Sequence, residues 1–268
     1  MKVSIVVPTW ENSEYTIKCY ASVFKNMGPD TTLIWVDNAS SDQQYSVVAD
    51  WLGGHRCPGA VQVIRNNKNL GFVKATNQGI RLGLALGSDA ILLLNNDTEM
   101  YSGCLDRLCA YLPGLDIVGP VSNNSSQTTP QKIRELLPDF PLLTSSAYRA
   151  YDLLLQSKYG KQSIPRLWVA FFCTLIKKEA FERIGLLDEA FMMGFRDDRD
   201  FCYTAIKAGL KVGGALDTFV FHQLSATFKI ADPYYRSGDY IGETGRILHE
   251  KHPEYATPNG TRITRLGN

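Results

Sequence analysis

The chain has 268 residues, enough for one large α/β domain or two small ones with a sizeable core. Hydrophobic residues make up 44% and charged residues 21%, the balance of a soluble globular protein. A formal net charge of +1 without a dense basic run removes the electrostatic footprint of a nucleic-acid binder, so no nucleic acid is expected as a partner.

Val3 to Val7 is a β-branched run bounded by Pro8 and predicts a first strand. Apolar residues at helical spacing predict a helix over Glu14 to Met27, closed by Gly28. Thr32 to Val36 predicts a second strand, Tyr45 to Leu52 a helix and Val61 to Ile64 a third strand. A helix over Gly71 to Leu86 and a strand over Ala90 to Leu94 follow. The order β-α-β-α-β-α-β implies a parallel, doubly wound sheet. The second half is less regular. Ile117 to Val121 reads as a strand, Ser122 to Pro130 as a loop, and Pro138 and Pro141 break the next stretch. Ser145 to Tyr159 reads as a helix, Leu167 to Lys177 as a long strand and Glu179 to Ile184 as a short helix. Arg199 to Ala208 reads as a helix, Lys211 to Leu216 and Thr218 to Phe221 as two final strands, and Tyr240 to Glu250 as a helix in a polar, aromatic tail.

No segment approaches the roughly 18–20 apolar residues of a spanning helix, and the apolar start is too short for a signal peptide. No integral membrane segment is therefore expected, and a cytoplasmic protein, free or peripheral to a membrane, is. The six cysteines are scattered without a CxxC pair, which fits reduced thiols rather than disulfides or zinc.

Three predicted strands end in polar clusters: Thr9, Glu11 and Asn12; Asp37 and Asn38; and Asn95-Asn96-Asp97. Open α/β sheets bind ligands at the carboxyl ends of their strands, so these clusters predict a concave polar site. Asp97, flanked by amides, has the chemistry to hold a hard divalent cation against a diphosphate. The alternative is local turn bonding by Asn and Asp. Asp37 either ends its strand in such a turn or accepts a hydrogen bond from a nucleobase imide. Gly71, in Asn69-Leu70-Gly71-Phe72, opens a helix whose N–H groups are candidates for a phosphate. No GxGxxG or GxxxxGK[ST] motif is present.

Asp197-Asp198-Arg199-Asp200 precedes a helix. One carboxylate is enough to cap it. Three within four residues repel each other unless Arg196, Arg199 or a cation offsets them, and such crowding is one way to raise the pKa of a general base. His222 ends an apolar strand, either hydrogen-bonded in place or as a metal ligand.

The ordered set Val3-Ser4-Ile5-Val6-Val7-Pro8-Thr9, Trp35-Val36-Asp37-Asn38, Asn69-Leu70-Gly71-Phe72, Leu94-Asn95-Asn96-Asp97, Gly185-Leu186-Leu187-Asp188-Glu189, Asp197-Asp198-Arg199-Asp200-Phe201-Cys202 and His222 resembles glycosyltransferase family 2, which has the GT-A fold. Asn69-Leu70-Gly71-Phe72 with Asn95-Asn96-Asp97 resembles rhamnosyltransferase-like members, which usually build surface polysaccharides. The resemblance implies a Rossmann-like, mostly parallel sheet flanked by helices, with a smaller mixed acceptor-side half. It implies a GT-A domain over 1–227, with a nucleotide-sugar-binding half at 1–120 and an acceptor half at 121–227, and a C-terminal helical extension over 228–268.

By the same resemblance, the partners are a nucleotide-diphosphate sugar (UDP, GDP or dTDP) and a glycan or glycoconjugate acceptor. Thr9, Glu11, Asp37, Asn69, Gly71, Lys74, Asn77 and Asn96 are implied at the donor, and Asp97 with His222 at Mn2+ or Mg2+. Asp198 is implied as the base of an inverting transfer to an acceptor hydroxyl through an oxocarbenium-like transition state. Trp168 and Asp197 are candidates on the acceptor side. The chain departs from the family at Glu11, where Asn is usual, at Asn95, which replaces the first Asp of a DxD, and at Asp197, where Glu is usual. Asp197 and Asp198 therefore share the claim to the base. The competing readings are a sugar-nucleotide pyrophosphorylase, which would need a basic Gly-rich loop after the first strand, and a binding module without turnover.

Overall fold

The computed structural model describes residues 1–123, 131–137, 145–223 and 237–255. The expected loop is described only up to residue 123. The Pro138 and Pro141 breaks, the 227/228 boundary and the end of the tail lie outside the described residues.

One sheet organises the molecule, in the order β3 (Ala60–Arg65), β2 (Thr31–Asp37), β1 (Val3–Thr9), β4 (Ala90–Leu94), β8 (Cys173–Lys177), β6 (Ile117–Ser122), β9 (Val212–His222) and β5 (Thr98–Met100), with β7 (Ser163–Pro165) paired to β9. Its first half is parallel: β3 (Ala60–Arg65), β2 (Thr31–Asp37), β1 (Val3–Thr9) and β4 (Ala90–Leu94). Helices α1 (Ser13–Phe24), α2 (Asp42–Gly54) and α3 (Phe72–Ala85) make the crossovers. The central strands read as unbroken apolar runs because both faces of the sheet are covered. Alternate residues go to opposite sides. Val6, Ile34, Ile91 and Leu93 join the core beneath α3, whereas Ile5, Val7, Leu33, Trp35 and Leu92 join the core that includes Cys19 and Tyr20 of α1.

The other half is mixed. β8 (Cys173–Lys177) runs antiparallel to β4 and to β6 (Ile117–Ser122), and β9 (Val212–His222) runs parallel to β6. The long strand expected over Leu167 to Lys177 is strand only from Cys173. β4 ends at Leu94 opposite Cys173, so the upstream residues have no strand to pair with. Instead Ala170 N–H donates to the Gln131 side chain at 2.7 Å, and Phe172 accepts from Asn95 N–H at 2.8 Å. The two strands expected at 211–221 are one. Its register against β6 jumps from Pro120↔Ala215 to Val121↔Phe219, leaving residues 216–218 as an irregularity. There the buried Asp217 accepts from Tyr111 Oη at 2.7 Å and Lys161 N–H at 2.9 Å.

Sequence periodicity missed β5 (Thr98–Met100), α4 (Cys104–Tyr111), α5 (Ile133–Leu136) and β7 (Ser163–Pro165). α6 (Ser145–Tyr159) packs a third cluster, Tyr151 and Leu155 against Phe219. α7 (Lys178–Ile184), a 3-10 turn (Glu189–Phe191), α8 (Asp197–Lys207) and α9 (Gly238–Lys251) complete the described chain. Among the described residues no helix is long and apolar enough to cross a membrane.

Candidate active site

Parallel strands carry their polar ends to one edge. Thr9 lies opposite Asp37 in the β1–β2 register, and β4 stops directly before Asn95-Asn96-Asp97. Thr9 Oγ1 is engaged, accepting from Trp35 Nε1 at 2.8 Å. Asp37 is fully buried, and its carboxylate lies near the Ser40 backbone and side chain and the Arg65 guanidinium without a short, well-aligned hydrogen bond. Arg65 Nε stands 3.5 Å away. Burial pushes the Asp37 carboxyl above the ordinary range despite nearby Ser40 and Arg65. Asp37 closes the carboxyl end of β2 as a weakly paired acceptor between Ser40 and Arg65.

Several other predicted donor residues are engaged within the protein. Glu11 accepts from Ser41 N–H at 2.8 Å and Ser41 Oγ at 3.0 Å, fastening the loop after β2. Asn69 Oδ1 accepts from Asn38 Nδ2 and Gly71 N–H. The amides of Leu70, Gly71 and Val73 donate to Asn38 Oδ1, Asn69 Oδ1 and Met192 O, so these three N–H groups are already satisfied without a phosphate. Gly71 has φ +86°, and a Cβ there would sit 2.8 Å from Met192 O. Asn77 exchanges both its amide groups with the backbone of Leu187. Asn96 Nδ2 donates to Thr16 Oγ1 at 3.0 Å. Lys74 is half exposed, 4.0 Å from Glu189.

Strand register brings Asp97 and His222 together. β5 pairs antiparallel with β9, Thr98 against His222, and Gln223 N–H donates to Asp97 O at 2.9 Å. Asp97 Oδ1 and His222 Nε2 are 3.2 Å apart, both largely buried. Phe172 stacks on the imidazole with ring centroids 5.1 Å apart. A carboxylate oxygen and an imidazole nitrogen form a donor set that suits Mn2+ and is tolerable for Mg2+. Among the described residues no group of three His, Cys, Asp or Glu gathers, so the pair fits a cation whose remaining ligands come from diphosphate and water.

The second carboxylate group opens α8. The chain enters it through Met192 (φ +34°), Gly194 (+93°), Phe195 (+65°) and Arg196 (+77°). Such conformations cost about 1–3 kcal/mol for a non-glycine residue and persist only where surroundings enforce them. Burial raises both carboxyls: Asp197 to about 8, helped by the charge of Asp198, and Asp198 to about 6, held lower by Arg199. The two carboxyls lie side by side and titrate as a pair, both above the ordinary aspartate range.

One short segment touches both groups. Phe172 lies on His222, Phe171 meets the edge of Phe201 in the first turns of α8 at 5.8 Å, and Trp168 lies 4.3 Å beneath the Arg199 guanidinium. Residues 168–172 thus contact His222 through Phe172 and the first turns of α8 through Phe171 and Trp168. Trp168 itself is only 2% exposed and belongs to the core, so its ring offers no open face to an acceptor sugar. Sequence reasoning found no signal for Tyr240 or for Arg196 as a loop anchor, because their partners lie far along the chain.

The family model described as glycosyl transferase family 2 matches residues 4–185. Agl10 of Haloferax volcanii, a low-salt glycan biosynthesis hexosyltransferase, is 25% identical over 216 residues, covering 79% of this chain and 64% of its own. The mannosyltransferase PcManGT from Pyrobaculum calidifontis, solved with GDP-Man and Mn2+, superposes with TM-score 0.62 at 15% identity, over 96% of this chain and 66% of that one. S. aureus TarS 1–349 with UDP-GlcNAc gives TM-score 0.63 at 15% identity, over 94% and 66%. The chain spans just under two thirds of the length of these relatives. At such identities the solved structures establish the fold, and the family model establishes the lineage: the chain belongs to glycosyl transferase family 2 and has its GT-A architecture.

Proposed function

We propose that this chain is an inverting, divalent-cation-dependent glycosyltransferase that moves a sugar from a nucleotide-diphosphate donor to a hydroxyl of a glycan or glycoconjugate. The observation that carries this reading is the 3.2 Å approach of Asp97 to His222 just past the end of β4, and the Asp197–Asp198 pair that opens α8 supplies the candidate base. The GDP-Man and UDP-GlcNAc in the solved relatives support a donor of this class.

The donor lies along the carboxyl edge of β1, β2 and β4. The Asp37 carboxylate, loosely held by Ser40 and Arg65, is the acceptor for a ring N–H of the base, a group that uridine, thymidine and guanosine all carry. Asp97 and His222 would hold Mn2+ or Mg2+, which when bound would supply positive charge against the leaving diphosphate. Asp198 accepts the proton of the acceptor hydroxyl as that oxygen attacks the anomeric carbon from the face opposite the diphosphate, which inverts the configuration. Burial and the charge of Asp198 raise the Asp197 carboxyl, which limits the second charge beside the base.

Asp198→Asn tests the assignment. It should abolish sugar transfer while nucleotide-sugar binding persists. Retained turnover in that variant removes Asp198 from the mechanism.

A further inference from the structure

The loop that delivers Asp198 is held from outside the segment the family model matches. Met192, Phe195 and Arg196 all have positive φ, and only Gly194 among the loop's left-handed residues is suited to it by chemistry. Something must hold that shape. One wall is the start of α3, where Val73 N–H donates to Met192 O at 2.9 Å. The other wall is α9.

Tyr240, in the first turn of α9, is 2% exposed and reaches into the loop. Its hydroxyl accepts from Met193 N–H at 3.1 Å. It stands 2.7 Å from Phe191 O and 3.0 Å from Gly194 O, and its single proton serves one of them at a time. The ring meets Phe195 edge-on. One residue along, Ile241 O accepts from the Arg196 guanidinium at 2.6 Å, and Thr244 Oγ1 lies 2.8 Å from the same nitrogen. At the far end of α9, Lys251 reaches Asp188 and Asp200, and His252 Nε2 lies 2.8 Å from Asp200 Oδ1. Both sides of Asp198 are therefore tied to one helix: the entry loop through Tyr240 and Arg196, and the first turn of α8 through Asp200.

The geometry points to Tyr240 as a positioning residue, whose hydroxyl holds the left-handed loop Met192–Arg196 in the form that aims Asp198 at the acceptor. This deepens the glycosyltransferase reading and rests on it. Tyr240 touches no reacting atom. It acts through three backbone groups, and its removal should affect the chemical step rather than donor binding, which the β1, β2 and β4 edge provides.

Tyr240→Phe in the full chain keeps the ring and its packing and deletes the hydroxyl. Hydrogen exchange of the 191–199 amides should quicken while β1 and β4 amides do not change. With GDP-Man or UDP-GlcNAc, whichever the wild type turns over, at saturation with Mn2+, kcat for release of the nucleoside diphosphate should fall about tenfold, and the affinity for that nucleotide sugar should stay within about twofold. Thr244→Val, a milder change at the second anchor, where Arg196 meets α9, should move both readouts in the same direction by a smaller amount, and if Tyr240→Phe fails to fold it judges whether α9 holds the loop at all. Unchanged exchange at 191–199 overturns the strap. Faster exchange with unchanged kcat overturns the positioning role, and so does a parallel loss of donor binding. A wild-type protein that turns over no nucleotide sugar overturns the glycosyltransferase reading, and with it the catalytic part of this inference, while exchange still judges the contact itself.

Discussion

The separation of Asp198 from Asp197 predicts a particular pH profile. Proton abstraction needs Asp198 ionised, and its carboxyl titrates near 6 because burial raises it and Arg199 limits the rise. At pH 5 about one tenth of the molecules then carry the carboxylate, and at pH 7 about nine tenths. The transfer rate should climb about tenfold across that interval. An aspartate of ordinary pKa, about 3.9, would change the rate by only about a tenth over the same range. The assay is the initial rate of nucleoside diphosphate release from pH 4.5 to 9, with donor and Mn2+ saturating at every point. Asp197→Asn should leave the acidic limb near 6, since Asp197 is protonated there, and should remove any change in rate near pH 8. A flat rate between pH 5 and 7 would refute the assignment, as would an acidic limb that moves below 5 when Asp197 alone is changed.

Asp97→Ala should remove the Mn2+-dependent part of nucleoside diphosphate binding, read by calorimetry with and without the cation; equal binding in both conditions defeats the metal assignment. The raised Asp197 carboxyl means the folded state holds its proton more tightly than the unfolded chain. The stability it contributes is full below pH 4 and is lost as pH rises through about 8. Wild-type Tm should thus fall more between pH 5 and 9 than that of Asp197→Asn, and equal falls contradict the burial argument. Gly71→Ala places a Cβ 2.8 Å from Met192 O at φ +86° and should cost about 1–3 kcal/mol in urea unfolding; a neutral change contradicts the close approach. Asp152→Ala leaves the Arg107 guanidinium without the carboxylate that meets it at 2.7 and 2.9 Å, and should cost about 3–5 kcal/mol by the same measure. A loss below about 1 kcal/mol would show that Arg107 finds water.

The parallel half was legible because periodicity and punctuation agree there. The runs at Val3, Thr32 and Ala90 alternate between two buried faces, and each stops at residues that favour turns. The meeting of Asp97 with His222 was legible only through family resemblance. Its physical cause is the pairing of the three-residue strand β5 with β9, which no local pattern announces. Length misled the reading of Leu167 to Lys177: an apolar run can be buried as coil when side chains such as Gln131 satisfy its backbone. The amides of Asn69, Asn77 and Asn96 resembled ligand contacts in sequence, yet each meets a protein partner. Polar type shows that a group needs a partner, and only the folded neighbourhood shows which one. Tyr240 illustrates the reverse: an aromatic residue in a polar tail, with no motif around it, whose three contacts all lie near residue 192.

The central claim is that a cation-held diphosphate and a carboxylate base face each other across one pocket. Anomalous diffraction from crystals grown with Mn2+ and a nucleoside diphosphate tests it most directly. The account predicts a metal peak contacting the Asp97 carboxylate, His222 Nε2 and the diphosphate, with the Asp198 carboxyl facing the position of the sugar. A nucleotide bound at this edge with the metal elsewhere, or with Asp198 turned away behind Trp168, contradicts it.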